Sequence, residues 1–205
     1  MEQSPKDREH KDGRESNTDA AEKEPRTITP RIYVASLSDY NNGELHGAWI
    51  DAAQDVEELE ETVERLLAES RQPYAEEFAI FDYEDFGPFR IHEYESLSNV
   101  ARLAQGIAEH GVAFAHFASI VESTDEDRLR HFDEAYAGHY EDLAEYGETV
   151  IEGCGFTETL DEAVPELLAP YVRVDAEAFA RDMEMGGMIG TSPGDGGIYV
   201  FDLAF

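Results

Sequence analysis

The chain has 205 residues and carries 47 Asp and Glu against 15 Lys and Arg, a formal net charge of −32, with 41% hydrophobic and 11% aromatic residues. A surface this acidic repels nucleic acid and anionic membranes, so a partner met through charge has to be basic. The apolar content excludes a wholly disordered acidic tail.

The charge is uneven. Residues 1–30 hold eight acids and six bases, whereas residues 31–205 hold thirty-nine acids and nine bases, every one an arginine. The absence of lysine after residue 30 excludes a Walker-type phosphate loop, a Schiff-base lysine and a lysine clamp. Cys154 is the only cysteine, which excludes an intrachain disulfide and a thiolate metal cluster. No run approaches the roughly 18 apolar residues of a membrane span. The opening Met1-Glu2-Gln3-Ser4-Pro5-Lys6 lacks the apolar run of a signal peptide, and the expected location is the cytoplasm.

Residues 1–30 are polar, of mixed charge and nearly free of aliphatic side chains, and are expected to be a disordered leader. Order is expected from residue 31, where Ile32 and Val34 alternate with Tyr33 and Ala35 in a strand. Asp39-Tyr40-Asn41-Asn42-Gly43 reads as a turn, and 44–51 as the returning strand. Val56, Leu59, Val63, Leu66 and Leu67 fall on one face of a helix over 55–69. A third strand follows over 77–83, ended by Asp85-Phe86-Gly87-Pro88.

The middle reads as helical. Ser96 caps a helix over 97–110 that stops at Gly111. An apolar segment covers 112–121, and Thr124 caps an acidic helix over 125–136. Helices are then expected over 139–151, 160–168 and 175–185. A terminal hairpin, with strands 188–191 and 198–205, closes around Ser192-Pro193-Gly194-Asp195-Gly196. The fold class is therefore α+β, with three small units over 31–92, 93–137 and 138–205.

Catalytic and metal motifs are weak. His110, His116, His131 and His139 show no H-x-x-x-H or H-E-x-x-H spacing and read as surface or half-buried histidines. Asp125-Glu126-Asp127 opens like a calcium loop, but Arg130 stands where the loop needs glycine. The glycines from Gly186 to Gly197 lack GxGxxG and suit a hairpin. No G-x-S-x-G surrounds Ser36, Ser38 or Ser119. No catalytic residue, metal site or cofactor is expected, and the chain reads as a non-enzyme.

What stands out is the distribution of acids. The expected partner-binding carboxylates are Asp55, Glu57, Glu58, Glu60, Glu61 and Glu64 on the first helix; Glu76, Glu77, Glu84, Asp85, Glu93 and Glu95 around the third strand; Glu122, Asp125, Glu126, Asp127 and Glu134 in the middle; and Glu141, Asp142 and Glu145 beyond it. A duplex carries one charge per ~1.7 Å, so a net charge near −30 equals the phosphates of roughly 15 base pairs. If the three units lie in a line, the density approaches that of DNA, and the surface would compete with DNA for a basic groove. An acid-rich, lysine-poor surface also suits a cytoplasm of very high salt, so a salt-adapted binding protein stays open as the alternative.

Ile32-Tyr33-Val34-Ala35-Ser36-Leu37-Ser38-Asp39-Tyr40-Asn41-Asn42-Gly43-Glu44-Leu45-His46-Gly47-Ala48-Trp49 resembles the opening of the ArdA family of antirestriction proteins. Glu76-Glu77-Phe78-Ala79-Ile80-Phe81-Asp82-Tyr83-Glu84, Glu93-Tyr94-Glu95-Ser96-Leu97 and Ala178-Phe179-Ala180-Arg181-Asp182-Met183 resemble its later segments. The resemblance, and it alone, implies that the three units lie in an elongated row, as a DNA mimic that occupies the DNA groove of type I restriction–modification enzymes, on their methyltransferase core, and spares incoming mobile DNA. It also implies a homodimer through the last third. Tyr171, Phe179, Met183, Tyr199 and Phe201 are the expected interface, because 171–205 is the least charged and most apolar stretch. Arg173 departs from the family pattern, which has an acid there, and the 190–197 hairpin is long.

Overall fold

The computed structural model describes residues 28–204, and almost all of the expected leader lies outside the described residues. Pro30 is buried, its carbonyl accepts the Ala52 N–H at 2.9 Å, and Ile28 packs on the core, so the described fold already includes residues ahead of position 31.

Strand β1 (Arg31–Ser36) lies between β2 (Gly47–Asp51) and β3 (Phe78–Glu84) in an antiparallel sheet of order β2-β1-β3. Its alternation sends Ile32 and Val34 to one face, with Ile50 and Ile80 beside them. Helix α2 (Val56–Ala68) covers that face with Leu59 and Val63. The expected turn after β1 is in part a short helix, α1 (Leu37–Asn41), because the Ser36 hydroxyl accepts the Asp39 N–H at 3.3 Å and starts a helical turn.

Helix α3 (Leu97–His110) begins at the expected cap, with Ser96 Oγ accepting from Asn99 N at 3.3 Å, and ends at Gly111, whose φ of 76° suits a glycine. Helix α4 (Val112–Ile120) packs on it.

The segment 125–140 departs from expectation. Instead of one helix there are two short ones, α5 (Glu126–Leu129) and α6 (Phe132–Ala135), and the cap is Asp125, not Thr124. An unforeseen strand, β4 (Tyr136–Tyr140), follows. Its pairing partner, the strand over Gly197–Asp202, lies some sixty residues downstream, from Tyr136↔Phe201 to Tyr140↔Ile198, so no local pattern announces it.

Helix α7 (Leu143–Gly153) starts later than expected, where Asp142 Oδ1 accepts the Ala144 and Glu145 N–H groups at 2.9 and 3.0 Å. Helix α8 (Phe156–Ala163) ends just before Pro165, which cannot continue a helix. A short 3-10 turn at Ala169–Tyr171 precedes α9 (Ala176–Met185), capped by Asp175. Gly147 is buried, and a Cβ there would run into the Ala176 carbonyl, so glycine lets α7 meet the start of α9. Strands β5 (Ile189–Gly194) and β6 (Gly197–Asp202) form the expected hairpin with a tighter turn, Asp195-Gly196, both at positive φ. That is the preferred chemistry of a two-residue hairpin loop. The second sheet has order β4-β6-β5.

One buried cluster runs from Ile32 and Val34 through Leu59, Leu103, Ile107 and Phe117 to Tyr199 and Phe201, crossing the expected boundaries near 92 and 137. A second gathers Tyr146, Ala180, Ile189 and Val200. The central strand β6 thus gives Tyr199 and Phe201 to one cluster and Val200 to the other. A strand covered on both faces is apolar throughout.

Candidate functional site

The candidate surface is acidic. Of the expected partner-binding carboxylates, all are exposed except Glu95, which is half-buried and whose Oε1 accepts from Asn99 Nδ2 at 2.8 Å. Burial of Leu59 and Val63 fixes the rotation of α2 and turns Glu57, Glu60, Glu61 and Glu64 outward at i, i+3, i+4 and i+7. At 1.5 Å per residue this stripe spans about 10 Å, one carboxylate per roughly 3.5 Å. That is close to the ~3.4 Å axial rise per phosphate in one DNA strand. Asp55 and Glu58 lie beside it. Glu145, Glu148 and Glu152, at i, i+3 and i+7, line the exposed side of α7 more sparsely.

Four arginines pair with carboxylates outside the α2 stripe. Arg31 pairs with Glu84 at 2.5 Å, Arg130 with Asp127 at 3.0 Å, Arg102 with Glu126 at 4.0 Å, and Arg181 with Glu177. Glu134 faces His131. Among the described residues, no ion pair reaches Asp55, Glu57, Glu58, Glu60, Glu61 or Glu64 on α2, or Glu145, Glu148 and Glu152 on α7. One acid is structural instead: Asp39 is buried, and the hydroxyls of Ser36 and Ser70 hold its carboxyl below the usual range, Ser70 Oγ donating to Oδ2 at 2.6 Å.

The expected interface residues divide. Tyr171 is 83% exposed, Phe179 is exposed and Met183 half-buried. Phe201 is wholly buried and Tyr199 nearly so, which corrects the reading of them as surface. Phe201 packs 5.4 Å from Phe117 and 5.5 Å from Tyr136, ring to ring. Their apolar run comes from the strand's central place in the fold.

The sequence also gave no sign of a histidine cluster. His116 is buried, its Nδ1 lies 2.7 Å from Ser192 Oγ, and its ring stacks 4.2 Å from Tyr199. Tyr199 donates to Asp195, and His139 stands edge-on to it. Burial pushes the His116 pKa down, against the pull of Asp195; burial and the hydrogen bond to Asp195 push the Tyr199 phenol up. Among the described residues no group of three or more His, Cys, Asp or Glu is placed to hold a metal, and no helix is long and apolar enough to cross a membrane.

Fold and surface together define an acidic α+β protein. The family model described as antirestriction protein (ArdA) matches residues 32–195. The chain belongs to the ArdA family of antirestriction proteins. No individual curated protein matches it.

Proposed function

We propose that this antirestriction protein binds a type I restriction–modification enzyme in place of B-form DNA, filling the basic groove of the methyltransferase core without catalysing a reaction. Incoming mobile DNA then escapes cleavage. The observation that carries the reading is the α2 stripe, whose carboxylates have no arginine partner among the described residues and recur at nearly the axial spacing of phosphates in one strand. A basic groove is the complementary surface. We further propose that a second copy docks on the exposed apolar side chains Tyr171 and Phe179, with Met183 at the margin, which extends the acidic surface.

The test is competition. A labelled duplex bound to a type I methyltransferase core is titrated with the protein at moderate salt. Displacement at a stoichiometric ratio supports the reading. Retention of the duplex favours the salt-adapted binding protein.

A further inference from the structure

The first sheet has a second face. α2 covers the side of Ile32, Val34, Ile50 and Ile80; the register sets Tyr33, Trp49 and Asp82 across the other side, with Arg31 between Asp51 and Glu84 one step along. On that side the Arg31 guanidinium lies 5.4 Å from the Trp49 ring centre while pairing with Glu84 at 2.5 Å. Trp49 in turn meets Tyr33 edge-on at 5.6 Å. A cation held between an aromatic face and a carboxylate is a stable seat for arginine.

Next to it the same elements recur, with no cation among the described residues paired to the carboxylate. A bulge in β3 leaves Phe81 and Asp82 together opposite the Tyr33–Val34 step, and both are exposed. The Phe81 ring lies 5.0 Å from Tyr40, which is 54% exposed. Among the described residues Asp82 has no ion-pair partner.

We propose that this outer face docks an arginine-bearing segment of a basic protein partner, with a guanidinium seated on the Tyr40–Phe81 pair against Asp82. The occupant follows from charge: among the described residues Arg31 is the one arginine that the register sets among Asp51, Asp82 and Glu84, so this face is complemented by a cationic segment, whereas the proposed second copy meets the chain through apolar side chains elsewhere. The surface lies on the side of the sheet away from α2, so it stands or falls apart from the DNA-mimic reading.

Trp49, the sole tryptophan, is the reporter. The full chain is titrated with an octa-arginine peptide at low salt, following Trp49 emission and peptide polarisation. Phe81→Leu and Tyr40→Leu keep the net charge, so each should weaken binding about two- to five-fold. Octa-lysine should bind more weakly than octa-arginine. Glu60→Gln/Glu61→Gln/Glu64→Gln on α2 should weaken parent and Phe81→Leu alike, leaving their ratio unchanged. Melting curves confirm folding, and Tyr40→Leu, the more exposed change, decides if Phe81→Leu is unstable. The proposal is overturned if the peptide fails to bind, if it binds without altering Trp49 emission, or if folded Tyr40→Leu binds as the parent does.

Discussion

Neutralising the α2 stripe with Glu60→Gln, Glu61→Gln and Glu64→Gln should make the protein more stable and a worse inhibitor at once. The three changes remove the like-charge neighbours Glu57–Glu60, Glu57–Glu61, Glu58–Glu61, Glu60–Glu64 and Glu61–Glu64, all exposed on one helix. Each such pair costs about 0.2–0.5 kcal/mol, so removing all five gains about 1–2.5 kcal/mol. Gln and Glu have similar helix propensity, and Glu57 stays in the first turn where the helix dipole favours an acid. For a chain of this size the gain corresponds to a rise in Tm of roughly 2–10 °C. On the binding side, three exposed charge contacts at about 0.2–1 kcal/mol each weaken displacement of duplex by roughly 3- to 150-fold. Thermal melting by circular dichroism reads the first effect, and the duplex competition assay the second. A variant that is more stable and competes as well as the parent would refute the role of the stripe. A variant that melts lower would refute the repulsion argument.

Phe201→Ala should cost about 3–5 kcal/mol in urea unfolding, since the ring is fully buried among Phe117, Phe132 and Tyr136. By contrast Tyr171→Glu and Phe179→Glu should leave urea stability within about 0.5 kcal/mol and lower the mass seen by light scattering; an unchanged mass would remove these side chains from the interface. His116 is held neutral by burial among Ser192, Tyr199, His139 and Asp195, so its folded pKa lies below its unfolded value. Its contribution is therefore full above the unfolded value of about 6.5 and is lost as pH falls toward the folded one. Urea midpoints of the parent and His116→Gln, taken from pH 7.5 to 5, should converge on acidification, and a constant gap would contradict this. Rising salt should weaken duplex displacement while raising the melting temperature, because it screens attraction to the enzyme and repulsion within the chain together.

What was legible in the sequence follows the range of the interactions. Helix α2 shows its apolar period and α3 its Ser96 cap and Gly111 stop, both set within a few residues of themselves. The acidic surface was legible for the same reason: burial of Leu59 and Val63 on one face leaves the glutamates only the other. Strand β4 was not legible, because Tyr136 to Tyr140 become a strand only by pairing with β6. The same long-range pairing explains the error over Tyr199 and Phe201. A run apolar on both faces fits a surface waiting for a second copy and a central strand between two helical layers equally well; only the position of β6 between β4 and β5 distinguishes them. The aromatic outer face of the first sheet depends likewise on β1 bringing Trp49 and Phe81 to one side.

Where the arginines go bears on function more than how many acids there are. Arg31, Arg102, Arg130 and Arg181 all neutralise carboxylates close to themselves, and Arg65, on α2 itself, reaches Thr62 Oγ1 at 3.5 Å. A surface shaped for stability alone would mix the signs along each helix, since opposite charges at i, i+4 help as much as like charges hurt. Keeping Glu57, Glu60, Glu61 and Glu64 together with no ion pair among the described residues breaks that local rule, and breaches of local rules concentrate where function requires them. On the proposed reading, a basic groove closing over the stripe would relieve this repulsion, so part of the stability given up in the free protein would return on binding. Very high salt would relieve the same repulsion without any partner. Composition therefore leaves the two readings level, and they separate on whether the stripe is neutralised by bulk ions or by the arginines and lysines of a DNA groove.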